Sequence, residues 1–175
     1  MILQDVFLID SDYVKEYSTV SENMEEKYIK PCIVTAQTQD LQQLIGTALS
    51  VRLCELLDSQ TIYDDENAVY RDLLFDYVQP YLLYCTQAEL LVSNMAKLRN
   101  SGNMQYLDTN QQNINTTDVK YLVEHYRNQS TFAGNRVVDF CRCNASNLPE
   151  WKMCTGCCNG LPSDPKSGVK IGFVL

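Results

Sequence analysis

Apolar residues in the first third of the chain recur at the three- and four-residue spacing of a helical face. Met24, Tyr28, Cys32 and Ala36 fall in register, with Ile29 and Ile33 alongside, the pattern of a helix with one side on a core. Asp40 and Gln43 have the spacing of a capping box, which predicts a second helix from Leu41. Gly46 can take the left-handed backbone that ends it. Thr47 can then cap a third helix carrying Ala48, Leu49, Leu53, Leu56 and Leu57. Pro31 has no amide hydrogen, so it either opens a helix at its first turn or kinks one that began near Glu22. The stretch from Glu22 to Leu57 therefore reads as helix, tight turn, helix, and the chain is organised around it.

Two longer patterns follow. Apolar positions from Tyr70 through Leu74, Tyr81, Cys85 and Ala88 to Leu98 predict a helix over about Glu66 to Leu98, with acidic Asp64 to Glu66 at its start and Lys97 and Arg99 at its end, the polarity that complements a helix dipole. Pro80 should kink or divide it. Tyr70, Tyr77, Tyr81 and Tyr84 lie mostly on this apolar stripe with no Lys or Arg interleaved, so they read as packing rather than as a platform for bases. Thr117 caps a second long pattern through Val119, Leu122, Tyr126, Val137 and Cys141, ending near Cys143. Gly134 weakens that helix by about 1 kcal/mol relative to Ala unless something packs closely against it.

Asn100 to Thr116 is rich in Asn and Gln and opens on a Ser-Gly break, so it reads as a loop anchored by Tyr106 and Leu107. Asp10-Ser11-Asp12 starts a helix over Tyr13 to Tyr17. The residues before it form an arm or edge strand docked on a neighbour or on the chain itself, or else a frayed end. Beyond Cys143 the helical period is lost among Pro149, Pro162, Pro165, Gly156 and Gly160. The alternation Val169, Ile171, Phe173, Leu175 then fits a short strand that needs a pairing edge. The expected architecture is all-α: a helical bundle with two long helices and a helix-turn-helix N-terminal half. An arm over 1–10, a helical domain over 11–143 and an irregular tail over 144–175 ending in the strand divide the chain.

At 175 residues the chain supports one sizeable core. A net charge of -8 has the wrong sign for gripping phosphates, although an acidic wall suits a channel through which DNA slides without sticking. A mean hydropathy of -0.24 and the lack of a long apolar run argue against a membrane span. The N-terminus lacks the features of a signal peptide. A reducing compartment is expected, and the 8 cysteines read as thiols or metal ligands rather than disulfides.

One cluster invites chemistry. Cys154 and Cys157 have the two-residue gap of a zinc pair, and Cys141 and Cys143 could supply the rest, with Cys158 adjacent. Against zinc stand the poorer Cys-x-Cys spacing, the place of Cys141 on an apolar stripe and the absence of a nearby histidine. The residues therefore assign no metal, cofactor or catalytic site. A redox role for Cys154 and Cys157 lacks the strand-to-helix setting that lowers a thiol pKa. His125, the one histidine, lies off the apolar stripe and reads as a surface or packing residue. No phosphate loop, nucleophile elbow or paired acid and base is present. An enzyme is not expected.

The order of features in the N-terminal half resembles a known family. An acidic helix leads into Tyr28-Ile29-Lys30-Pro31, followed by Ala36-Gln37, then Asp40-Leu41-Gln42-Gln43-Leu44-Ile45-Gly46-Thr47 and Leu49. This is similar to the head-to-tail connector, or adaptor, proteins of tailed phages, closest to the ring proteins under the portal in crAss-like phages. The second half matches only in helix layout. The resemblance implies a virion protein of the neck: a dodecameric ring bound to the portal on one side and to tail components on the other, with the genome passing through its bore. The other reading of the residues is a small cytoplasmic helical adaptor holding a structural zinc through its C-terminal cysteines.

Overall fold

Asp10 begins the helical part of the chain by accepting a hydrogen bond from the Tyr13 amide through its carboxylate, at 2.6 Å, so α1 runs over Ser11–Tyr17. The computed structural model describes residues 6–95, 98–99, 102–103 and 116–151. Within them the protein is all-α, as the periodicity predicts. α2 (Glu26–Thr35) is followed by α3 (Gln42–Ile45), α4 (Thr47–Asp58), α5 (Ala68–Asp72), α6 (Gln79–Met95) and α7 (Thr116–Cys143). The extended pairing among the described residues is a two-residue antiparallel contact, Leu98 opposite Asn103 and Arg99 opposite Gly102.

Both prolines are absorbed without breaking their helices. Pro31 sits inside α2 rather than at its first turn. The backbone then widens into a π-helical turn over Ala36–Leu41 before α3. Such widening changes which carbonyls find amide partners, and two threonine hydroxyls serve the carbonyls nearby: Thr35 Oγ1 donates to Pro31 O at 3.0 Å and Thr38 Oγ1 to Val34 O at 2.7 Å. The capping-box reading of Asp40 fails for this reason. Asp40 lies within the widened turn, Leu41 begins no new helix, and α3 has no side-chain cap. A second π-helical turn, Leu73–Val78, precedes Pro80, so α5 leads through it into α6 undivided. α6 ends at Met95, short of the expected Leu98.

Gly46 does adopt a positive φ of 87° between α3 and α4, a conformation that costs a residue with a Cβ. It is itself the residue before α4, and Thr47 is the first helical position instead of the cap.

One core joins all of this. Ile29, Cys32 and Ile33 are the buried face of α2, continued by Ala36 at the start of the π-helical turn, while Tyr28 is 43% exposed, so the stripe is rotated from the one expected. α6 lies at the centre: from Tyr81 to Leu90 nearly every residue is buried, as for a helix covered on all sides. Tyr70 and Tyr81 are buried, and Tyr77 and Tyr84 pack partly buried against the core, so the tyrosine series is packing. Val92, four positions beyond Ala88 and so in register with the apolar stripe of this helix, is nonetheless 46% exposed.

Both described ends return to this core. Leu8 and Ile9 are 1% and 2% exposed, which contributes roughly 1.5–3 kcal/mol each. The arm, as far as residues 6–9 show it, docks on its own chain. After α7, Leu148 is fully buried, Tyr70 donates to Glu150 Oε2 at 2.7 Å, and Arg52 approaches Glu150 Oε1 at 3.8 Å. The packed unit therefore continues past Cys143 to Trp151. The strand expected over Val169 to Leu175 and most of the loop expected over Asn100 to Thr116 lie outside the described residues.

Candidate assembly surface

Among the described residues, the thiols and the histidine that the sequence singles out lie apart from one another. Cys141 is buried and Cys143 exposed. Two residues apart on a helix, their side chains diverge by roughly 200°, so they cannot reach one ion together. Cys154, Cys157 and Cys158 lie outside the described residues, among which no group of three or more His, Cys, Asp or Glu could hold a metal. Burial pushes the Cys85 and Cys141 thiols up to about 12 and the Cys54 thiol to about 11. These thiols stay neutral and are poor nucleophiles at neutral pH. His125 lies on the exposed side of α7 with its ring edge toward Tyr126.

The best-formed polar cluster ties three elements together. Arg127 of α7 pairs with Glu89 of α6 through Nη2 and with Asp40 of the first π-helical turn through Nη1, at 3.5 Å. Asp40 and Glu89 are equally exposed, at 23% each, and Asp40 Oδ2 is enclosed without a hydrogen bond. Burial pushes its carboxyl above the usual range, and the Arg127 charge only partly restores it. Two turns away along α7, and two turns back along α6, the packing turns apolar. A Cβ on Gly134 would stand 3.1 Å from the Tyr81 ring and 3.4 Å from Leu44, so the glycine is what lets α7 close on α6 here. The sequence cost of Gly134 is offset by that contact. The cluster is a clasp between helices and offers no acid-base pair to a substrate.

A groove of about 180 Å³ lies between the 18–24 connection, α6 and α7, lined by Val20, Met24, Leu90, Leu91 and Tyr126 among others. Thr19 Oγ1 and the Tyr126 hydroxyl meet across it at 3.3 Å. Its volume falls below the ~300 Å³ at which small-molecule sites begin.

The outer side of α7 is different in kind. Over 119–129 the helix has no fully buried residue. Tyr121 is 71% exposed, Phe132 66% and Leu122 37%. Tyr121 and Phe132 are eleven positions apart, which returns them to within about 20° of each other around the axis and roughly 17 Å apart along it. His125 and Asn128 lie between them on the same stripe. Large aromatics held outward on a rigid helix are what interface cores are made of. Neither aromatic stood out in the sequence, because both fall off the stripe that packs inward; that displacement was the available signal. The Arg127 clasp was likewise missed, since its members are 87 and 49 positions away from Asp40 and its surroundings.

Residues 29–160 match the sequence family described as Family of unknown function (DUF6712), well over half of the chain. The chain belongs to this family. No curated protein and no solved structure matches it. The matched span begins at the first buried residue of α2 and takes in the rest of that helix and α3 to α7. The family's description carries no activity.

Proposed function

We propose that the chain is a structural subunit of a virion neck, a head-to-tail connector whose copies close into a ring between portal and tail. In this reading two long helices form the wall, the helix-turn-helix half sits beside them, and the terminal strand pairs with an adjoining subunit. The observation that carries it is the outward aromatic stripe of α7, Tyr121 to Phe132. The sequence resemblance to phage connectors supplies the kind of assembly, a dodecameric ring, and the partners. A net charge of -8 suits a bore through which DNA passes without specific binding. Heterologous contacts that close a ring need two different surfaces on each copy, and the α7 stripe is one.

The zinc-stabilised adaptor is the second reading, and the divergence of Cys141 and Cys143 leaves one of the two, with Cys154, Cys157 and Cys158, to hold its metal. Electron microscopy of the purified full chain, alone and mixed with the portal-bearing particles of its source, tests the proposal. Closed rings, or density of this fold beneath the portal, support it. A chain that neither forms rings nor binds particles, and that copurifies with one zinc per monomer, refutes it.

A further inference from the structure

The N-terminal segment is held in an unusual way, by side-chain amides reading its backbone. Gln37 Oε1 accepts from the Leu8 amide at 3.0 Å and Gln37 Nε2 donates to Val6 O at 2.8 Å. From the other side, Gln79 Nε2 donates to Leu8 O at 3.0 Å. Gln37 is 2% exposed with the segment in place and its Nε2 also donates to Cys54 Sγ at 3.6 Å, so losing the segment removes two hydrogen bonds from this amide, worth about 0.5–1.5 kcal/mol each. Extended peptide in the slot is therefore favoured over an empty one. Because its three hydrogen bonds go to main-chain atoms, it selects an extended segment with apolar residues at the positions of Leu8 and Ile9, whichever copy supplies it.

The element that delivers this segment is weakly anchored. α1 buries only Ser11 and Val14, and the Ser11 hydroxyl is enclosed without a partner. Residues 18–25 connect it to α2 through a polar, largely exposed stretch that can span about 26 Å when extended. Transfer of residues 6–17 to another copy would preserve every contact in the slot, leaving only the connection to change.

We infer that the Gln37–Gln79 slot is a subunit-joining site, filled here by the chain's own residues 6–9 and filled in the assembled ring by the same residues of the adjacent copy. This inference rests on the ring reading and names how the copies are linked.

The test uses the full chain carrying Phe7→benzoylphenylalanine, prepared in light and heavy isotopic forms, mixed in equal amounts before assembly and irradiated. Mass spectrometry of the crosslinks to the peptides around Gln37 and Gln79 then reports which copy supplied the arm. Exchange predicts that in rings about half of these crosslinks join light to heavy, the statistical value for neighbours in a mixed ring. Adding Gln37→Leu to the same chain should reduce the slot crosslinks several-fold. Rings containing only same-isotope crosslinks overturn the exchange and leave the ring reading intact. A chain that stays monomeric at every concentration, with same-isotope crosslinks alone, overturns both.

Discussion

Replacing Arg127 with Met keeps the length of the stem and removes the charge that joins α7 to both Glu89 and Asp40. Breaking a fully buried pair costs about 3–5 kcal/mol, whereas an exposed one is worth well under about 1 kcal/mol. Arg127 has 44% of its side chain exposed and Asp40 23%, which places the expected loss between these, at about 1–2 kcal/mol near neutral pH. The pH dependence follows from Asp40. Its folded carboxyl titrates above the ordinary value because burial outweighs Arg127, so the folded state holds its proton to higher pH than the unfolded state does. Stability contributed by this group is lost as the pH rises from the unfolded value through the folded one. Without Arg127 the carboxyl rises further, and ionising it costs more. Urea unfolding of Arg127→Met should therefore show a larger deficit against the wild type at pH 7 than at about pH 4, where Asp40 is protonated more readily in the variant. Equal deficits at both values would refute the role assigned to the clasp.

Other substitutions probe the packing. Gly134→Val, placed 3.1 Å from the Tyr81 ring, should lower stability by about 2–3 kcal/mol in urea unfolding through overpacking and the β-branch. The Thr86 hydroxyl is buried without a hydrogen bond, so Thr86→Val should raise stability by about 1 kcal/mol in the same assay. Gln37→Leu strands the Leu8 amide; a loss of about 1–3 kcal/mol is expected, together with faster limited proteolysis between residues 6 and 10.

The sequence showed fold class and most helix positions because apolar spacing is a local property. α1, α4 and α7 lie close to their expected bounds, and Gly46 turns where its lack of a Cβ allows. What was misread depends on contacts distant in sequence. Asp40 and Gln43 satisfy a capping pattern, yet burial of Leu41 and Ile45 on the same core as Ile33 keeps the backbone helical through that point, and Asp40 faces Arg127 instead. Of the two outcomes expected at Pro80, a kink or a division, the helix is not divided, and a π-helical turn precedes the proline. The place of Gln37 in the fold was invisible for the same reason: its partners are 29 and 31 residues away. The outward stripe of α7 was legible in principle, as aromatics off the packing face, but periodicity draws the eye to the residues that conform to it.

The claim on which the rest depends is that the outer face of α7 joins copies of this chain. Native mass spectrometry of the wild type and of the double variant Tyr121→Glu, Phe132→Glu, with circular dichroism to confirm that both are folded, tests it most directly. The account predicts a closed oligomer for the wild type and a folded monomer for the variant, since two carboxylates on the stripe cannot be desolvated at an interface. An oligomer unchanged by the double substitution would contradict it.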